Sequence, residues 1–109
     1  MNYNKVSPLI KSTPEKILKA ASKCWGVTEK EILERGRTQP QTFARQVGMY
    51  LTYKLTNLST TNVGKFYSNR DHATVLWAVK RVMEAMEEDP TINRAIIEIE
   101  KHLTKNGKN

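Results

Sequence analysis

Apolar residues recur along this chain with the three-to-four spacing of helices, and no stretch alternates as a strand would. The first run puts Ile17, Leu18, Ala21, Cys24 and Trp25 on one stripe. Thr13 suits its N-cap, Pro14 its first helical position and Gly26 its end. Thr28 and Glu31 then form a capping box for a short helix that carries Ile32 and Leu33 and stops near Gly36. After the link Arg37-Thr38-Gln39-Pro40, the spacing predicts a helix of roughly 14 residues ending at Leu55. Ala44, Val47, Leu51 and Leu55 face inward there, and Arg45, Met49 and Thr52 face out. Asn57 tolerates the left-handed conformation that closes a helix, with Leu58 placed for the accompanying apolar contact.

Two short periodic segments follow with the grammar of a helix-turn-helix. Ser59 caps a helix containing Val63 and Phe66, the polar interval Tyr67-Ser68-Asn69-Arg70 makes the turn, and Asp71 caps the second helix. Gly64 allows the paired helices to approach closely. Val75, Leu76, Val79, Met83 and Met86 form the inward stripe of the second helix, which leaves Ala73, Trp77, Lys80 and Arg81 outside. Asp89 and Pro90 open a final helix with Ile92, Ile96, Ile99 and Leu103 on one face. The expected fold class is all-α: about six helices around a helix-turn-helix core. Residues 1–12 read as an N-terminal arm interrupted by Pro8, 13–104 as the domain, and 105–109 as a polar tail. Met1 and the natural look of that arm lean slightly towards a complete gene product rather than an excised domain.

The charge changes this picture. The net +7 resides between Arg35 and Arg81, where eight basic residues meet one acid, Asp71, and the remainder is neutral overall. Six acids (Glu84, Glu87, Glu88, Asp89, Glu98, Glu100) fall in the last quarter, which therefore reads as a support, with the middle of the chain facing a polyanion. The absence of a long apolar run or a signal-peptide pattern points to a cytosolic protein with no membrane partner. Cys24, His72 and His102 lie too far apart in sequence to suggest a zinc site, and a single cysteine forms no internal disulfide. The near-match to a phosphate-binding loop, from Ser59 to Phe66, fails at its first glycine and its final hydroxyl. With no paired carboxylates and no nucleophile beside a base, neither an enzyme nor a cofactor is expected.

The densest chemistry is Asn69-Arg70-Asp71-His72-Ala73-Thr74-Val75-Leu76, at the start of the helix that such motifs insert into the major groove. Asp71 suits a cytosine amino group or simply caps the helix, His72 a base edge or open solvent, and Ala73 a thymine methyl. Trp77, one turn on, is placed to pack over the DNA backbone or to fold onto a neighbouring loop. Arg45 and Gln46 suit phosphate contacts, and Arg37 suits a minor groove, with solvated side chains as the alternative.

The run from Val63 to Val82 (VGKFYSNRDHATVLWAVKRV) resembles the signature of the C-terminal DNA-binding domain of the bacterial replication initiator DnaA, in which a glycine-containing helix precedes a turn and an R-D-H-[ST]-[ST]-V-L helix. Upstream, Ala44 to Leu51 (ARQVGMYL) resembles that family's A-R-Q-[IV]-A-M-Y-L helix, and Leu55 to Ser59 its L-T-x-x-S connection. The resemblance runs without gaps from about Thr13 to past Met86. It implies the TrpR-like fold of that family and binding of double-stranded DNA as a monomer. It also implies a minor-groove contact by Arg37, phosphate contacts by Arg45, Gln46, Ser59 and Thr74, and base contacts by Asp71, His72 and Ala73. Thr60 and Thr61 align where the family packs apolar residues against DNA.

Three positions depart from the pattern: Ala73 stands for the usual hydroxyl residue, Trp77 for a common histidine and Thr61 for a proline. Ala73 still offers a methyl group to thymine, so duplex binding is expected to survive, and what these departures put in question is the match of the preferred sequence to the family's A·T-rich origin boxes. The expected function is sequence-preferring, non-catalytic duplex binding at such origin-type sites by a nucleoid-associated protein. Two alternatives are a transcription or mobile-element regulator using the same module, and an interaction module that engages replication proteins without binding DNA.

Overall fold

The computed structural model describes residues 12–36 and 38–106, so Arg37, most of the N-terminal arm and the last three residues lie outside the described residues. Six helices follow in order: α1 (Pro14–Trp25), α2 (Glu29–Leu33), α3 (Gln39–Leu55), α4 (Thr60–Phe66), α5 (His72–Glu88) and α6 (Pro90–Asn106). The described residues contain no strand. The caps explain most of the boundaries. The Thr13 side chain accepts from the Lys16 N–H, and Gly26 closes α1 in the left-handed region at φ 67°. Both halves of the Thr28–Glu31 capping box form. Ser59 accepts from Asn62 at the start of α4, and Asp71 accepts from Thr74 at the start of α5.

Helix α3 is the axle of the domain. Around it Ile17, Val47, Leu51, Leu55, Val79, Val82, Ile96 and Leu103 form one apolar cluster, and Leu18, Ala21, Ile32, Ala44, Met49, Val63, Tyr67, Val75 and Ala78 form another. The first joins α6 and the later part of α5 to α3, and the second seats α2, α4 and the start of α5. The last helix does act as a brace. Glu100 holds Lys54 of α3 at 3.0 Å, and Lys54 also donates to the Tyr50 hydroxyl at 3.5 Å.

The sequence-based assignment of faces needs correction where α3 is concerned. Arg45, Met49 and Thr52, expected outside, are 6%, 2% and 0% exposed. Neighbours cover α3 on nearly every side, so a rule built for a helix with one wet face fails for it. Pro40 lies inside the helix at its second position, where the missing N–H removes no helical bond. Asn57 does not close α3. Thr56 turns extended at φ −129°, its hydroxyl donates to the Thr52 carbonyl at 2.6 Å, and it accepts from the Leu58 N–H.

Cys24 is exposed rather than inward, and Trp25 packs edge-on against Phe43 with ring centroids 5.5 Å apart. Tyr67, assigned to a polar turn, is fully buried. On α5 the buried stripe is Val75, Ala78, Val79 and Val82; Leu76 and Met86 are only half-buried and Met83 is exposed.

Candidate nucleic-acid interface

The helix-turn-helix is held by a close backbone approach at Gly64. The Arg70 N–H donates to the Gly64 carbonyl at 2.9 Å, and a Cβ at Gly64 would lie 1.9 Å from the Arg70 carbonyl oxygen. Only glycine leaves room for the turn there. The turn itself passes through two consecutive left-handed residues, Ser68 at φ 67° and Asn69 at φ 59°. Non-glycine residues persist in that region when their surroundings hold them. Here the Ser68 hydroxyl donates to the Leu33 carbonyl, and the Asn69 N–H reaches the Lys65 carbonyl at 3.3 Å. Tyr67 anchors the turn from beneath, its hydroxyl 3.0 Å from that of Thr52. Its ring sits so close to α3 that a Cβ at Gly48 would lie 2.6 Å from the Tyr67 oxygen. Burial pushes the Tyr67 phenol far above its ordinary range, so it stays neutral and available for this hydrogen bond.

The turn delivers the first residues of α5 to solvent. Asp71, His72, Ala73 and Thr74 are all exposed, as is Trp77 one turn later at 55%. Asp71 takes two bonds on one oxygen, from the Thr74 N–H at 2.8 Å and the Thr74 hydroxyl at 2.9 Å. The Thr74 N–H first, and then its hydroxyl, hold the Asp71 carboxyl below its ordinary value, so it is ionised at neutral pH. A carboxylate has about four lone-pair sites, so capping leaves acceptor capacity for an amino group. Thr74, by contrast, has both its N–H and its hydroxyl engaged, and a phosphate would have to draw the hydroxyl away from Asp71. The Lys80 ammonium lies 5.7 Å from the centre of the Trp77 ring, which adds a cation to the same exposed side of α5.

The other expected contacts are distributed unevenly. Ser59 and Thr61 are exposed and Thr60 half-buried, all at the start of α4. Gln46 is half-buried on α3. Arg45 points inward, and its guanidinium donates to the carbonyls of Ile32 at 2.7 Å, Gly36 at 3.2 Å, Glu31 at 3.4 Å and also Glu34. The expectation for Arg37 falls outside the described residues.

Two basic residues of the tract, to which sequence reasoning assigned no individual contact, lie beside the turn. Arg70 donates to the Glu34 carbonyl at 2.9 Å, and Arg35 reaches the Ser68 carbonyl at 3.4 Å. The signal for Arg35 was its place at the edge of the basic tract, and for Arg70 its adjacency to Asp71. No carboxylate pairs with Arg35, Arg45 or Arg70 among the described residues. Burial, and then the neighbouring guanidinium groups, lower the pKa of Arg45 and Arg70. The described residues hold no cluster of three or more metal-ligating side chains, and no helix is long and apolar enough to cross a membrane.

Comparison with known proteins agrees with this architecture. The family model for the bacterial DnaA protein helix-turn-helix matches residues 14–82. The chromosomal replication initiator protein DnaA of Thermodesulfovibrio yellowstonii is 40% identical over 92 residues, covering 84% of this chain and 21% of that protein. The protein of the same name from Bacteroides thetaiotaomicron is 39% identical over 93 residues, covering 85% of this chain and 20% of its own length. That from Streptococcus mutans is 42% identical over 78 residues, 72% of this chain and 17% of its own. The chain thus spans about a fifth of the length of the curated relatives it matches. With a helix-turn-helix match over more than half its residues, and the same six-helix order its sequence predicts, the chain belongs to the bacterial DnaA helix-turn-helix family.

Proposed function

We propose that this chain is a sequence-preferring, non-catalytic module for double-stranded DNA, acting at replication-origin-type sites in the cytoplasm and binding as a monomer. The observation that carries the reading is the exposed first turn of α5, where Asp71, His72, Ala73 and Thr74 project from a helix-turn-helix inside the basic tract from Arg35 to Arg81. That turn enters the major groove, where ionised Asp71 accepts from a cytosine amino group, His72 meets a base edge and Ala73 packs on a thymine methyl. Ser59, Thr60, Thr61, Gln46 and Thr74 contact the backbone, Arg37 reaches the adjoining minor groove, and Trp77 packs over the sugar-phosphate wall beyond Ala73. The departures at Ala73, Thr61 and Trp77 shift the preferred sequence away from that of the family's origin boxes.

Selection of bound duplexes from a random pool tests this, with His72→Ala as the control. The expected result is a short enriched sequence, and a loss of about 1–3 kcal/mol together with relaxed preference on that sequence for the variant. An unenriched pool refutes the reading. The alternative of a protein-interaction module draws on Met83 late in α5 and Ile97 in α6, which are 39% and 37% exposed. It requires Met83→Ser to abolish function while duplex binding is absent from the parent protein.

A further inference from the structure

The end of α2 is held in an unusual way. A helix leaves its last carbonyls without helical partners, and here side chains from two distant segments take them. Arg45 of α3 donates to the carbonyls of Glu31, Ile32, Glu34 and Gly36, and Gln41 adds a 2.7 Å bond to Glu31. From the helix-turn-helix turn, Ser68 donates to the Leu33 carbonyl and Arg70 to the Glu34 carbonyl. Arg35 returns a bond to the Ser68 carbonyl. The Glu34 oxygen is therefore shared by Arg45 and Arg70, so one atom joins the α2–α3 loop, the central helix and the residue that precedes Asp71. This junction also holds the left-handed pair Ser68–Asn69, whose backbone sets the direction in which α5 starts.

Resting on the duplex-binding reading above, we propose that Arg45 and Arg70 are positioning residues: they lock the loop after α2 to the turn before α5, so that the first turn of α5 is set before DNA arrives. Arg45 is too deeply buried to meet a phosphate, and the half-buried Arg70 turns one donor inward to the Glu34 carbonyl. At Arg45 a guanidinium is needed because its planar fork spans several carbonyls at once, whereas Arg70 donates to the Glu34 carbonyl alone. An ammonium carries its three donors on one atom and cannot reach across the Arg45 set.

The test uses Arg45→Ala, Arg45→Lys, Arg70→Ala and Arg70→Lys in the full chain, with two readouts. In the first, affinity for a preferred duplex is measured across a range of salt. Arg45→Ala, Arg45→Lys and Arg70→Ala are expected to bind roughly tenfold more weakly, the scale of one lost base contact, with the salt slope of the parent, and Arg70→Lys to keep more affinity than Arg70→Ala. A slope lower by about one marks a direct phosphate contact and overturns the proposal, as does recovery of parent affinity by Arg45→Lys.

In the second, amide hydrogen exchange is followed without DNA. The Glu34, Asn69 and Arg70 amides, whose hydrogen-bond partners are the carbonyls of Lys30, Lys65 and Gly64, are expected to lose protection together while α6 keeps its own. Protection that is unchanged at the junction, or lost throughout the domain, overturns it. Should Arg45→Ala fail to fold, substitution of the half-buried Arg70 by alanine decides. Should the parent protein bind no duplex, the exchange readout still judges the junction while the DNA reading alone falls.

Discussion

Replacing Gly64 by alanine sets two effects of opposite sign against each other. Alanine is a better helix former than glycine by about 1 kcal/mol, and Gly64 sits inside α4, so propensity alone predicts a more stable protein. The geometry opposes this. The new methyl would lie 1.9 Å from the Arg70 carbonyl oxygen and 2.9 Å from its carbon, whereas a tolerable contact between carbon and oxygen is about 3.3 Å. The obstacle is backbone, so the turn itself must move by more than about 1 Å, at an overpacking cost of about 1–3 kcal/mol or more. The same movement pulls the Arg70 N–H from the Gly64 carbonyl, for about another 1 kcal/mol.

The net expectation for Gly64→Ala is a loss of about 1–3 kcal/mol, read as a fall in Tm of on the order of 5–20 °C for a domain of this size. Gly26→Ala serves as a comparison: that residue is at φ 67° with nothing within 4 Å, so it carries only the left-handed penalty of about 1 kcal/mol. Because Gly64 supports the turn that sets α5, its variant is also expected to lose more DNA affinity than Gly26→Ala. Thermal unfolding followed by circular dichroism compares the stability of the two variants. A Gly64→Ala protein as stable as the parent would show that the helix-turn-helix does not depend on this approach.

Three other outcomes are expected. Tyr67→Phe removes the buried hydroxyl pair with Thr52 and should cost about 1 kcal/mol in denaturant unfolding without changing the fold. Trp77→Ala should leave stability within about 0.5 kcal/mol, since the ring is mostly in solvent, yet weaken duplex binding in an anisotropy titration. The Asp71 carboxyl is held below its ordinary value by Thr74, so the folded state favours the ionised form. Its contribution is complete above the unfolded aspartate value and is lost as the pH falls through the lower folded one. An acid titration of the parent should therefore contain a component that is absent from Asp71→Asn.

The helices were legible in the sequence because their punctuation is local. Thr13, Thr28, Ser59 and Asp71 each act on a backbone N–H three residues away, and Gly26 needs only its own φ. Their facing was less legible. The burial of Arg45, Met49 and Thr52 depends on how many helices surround α3, which periodicity within α3 does not encode. Tyr67 looked polar beside Ser68 and Asn69, and what buries it is a gap on another helix, opened by Gly48 and lined by the Thr52 hydroxyl. The exposed turn of α5 was legible because a cap, a histidine and small residues stood together there. The carbonyl junction was not, because its acceptors are backbone atoms on α2 and the loop beyond it, and backbone acceptors leave no residue-type signature.

The claim that matters most is that the exposed start of α5 reads duplex DNA from within a basic surface. Titration of a labelled duplex carrying the selected sequence, repeated from low to physiological salt beside a scrambled duplex, tests it directly. Saturable binding is expected, with log affinity falling linearly with log salt by about 0.9 for each phosphate neutralised, and a preference for the selected duplex that persists as salt rises. Binding that does not saturate at low salt, or that treats both duplexes alike at every salt concentration, would contradict it.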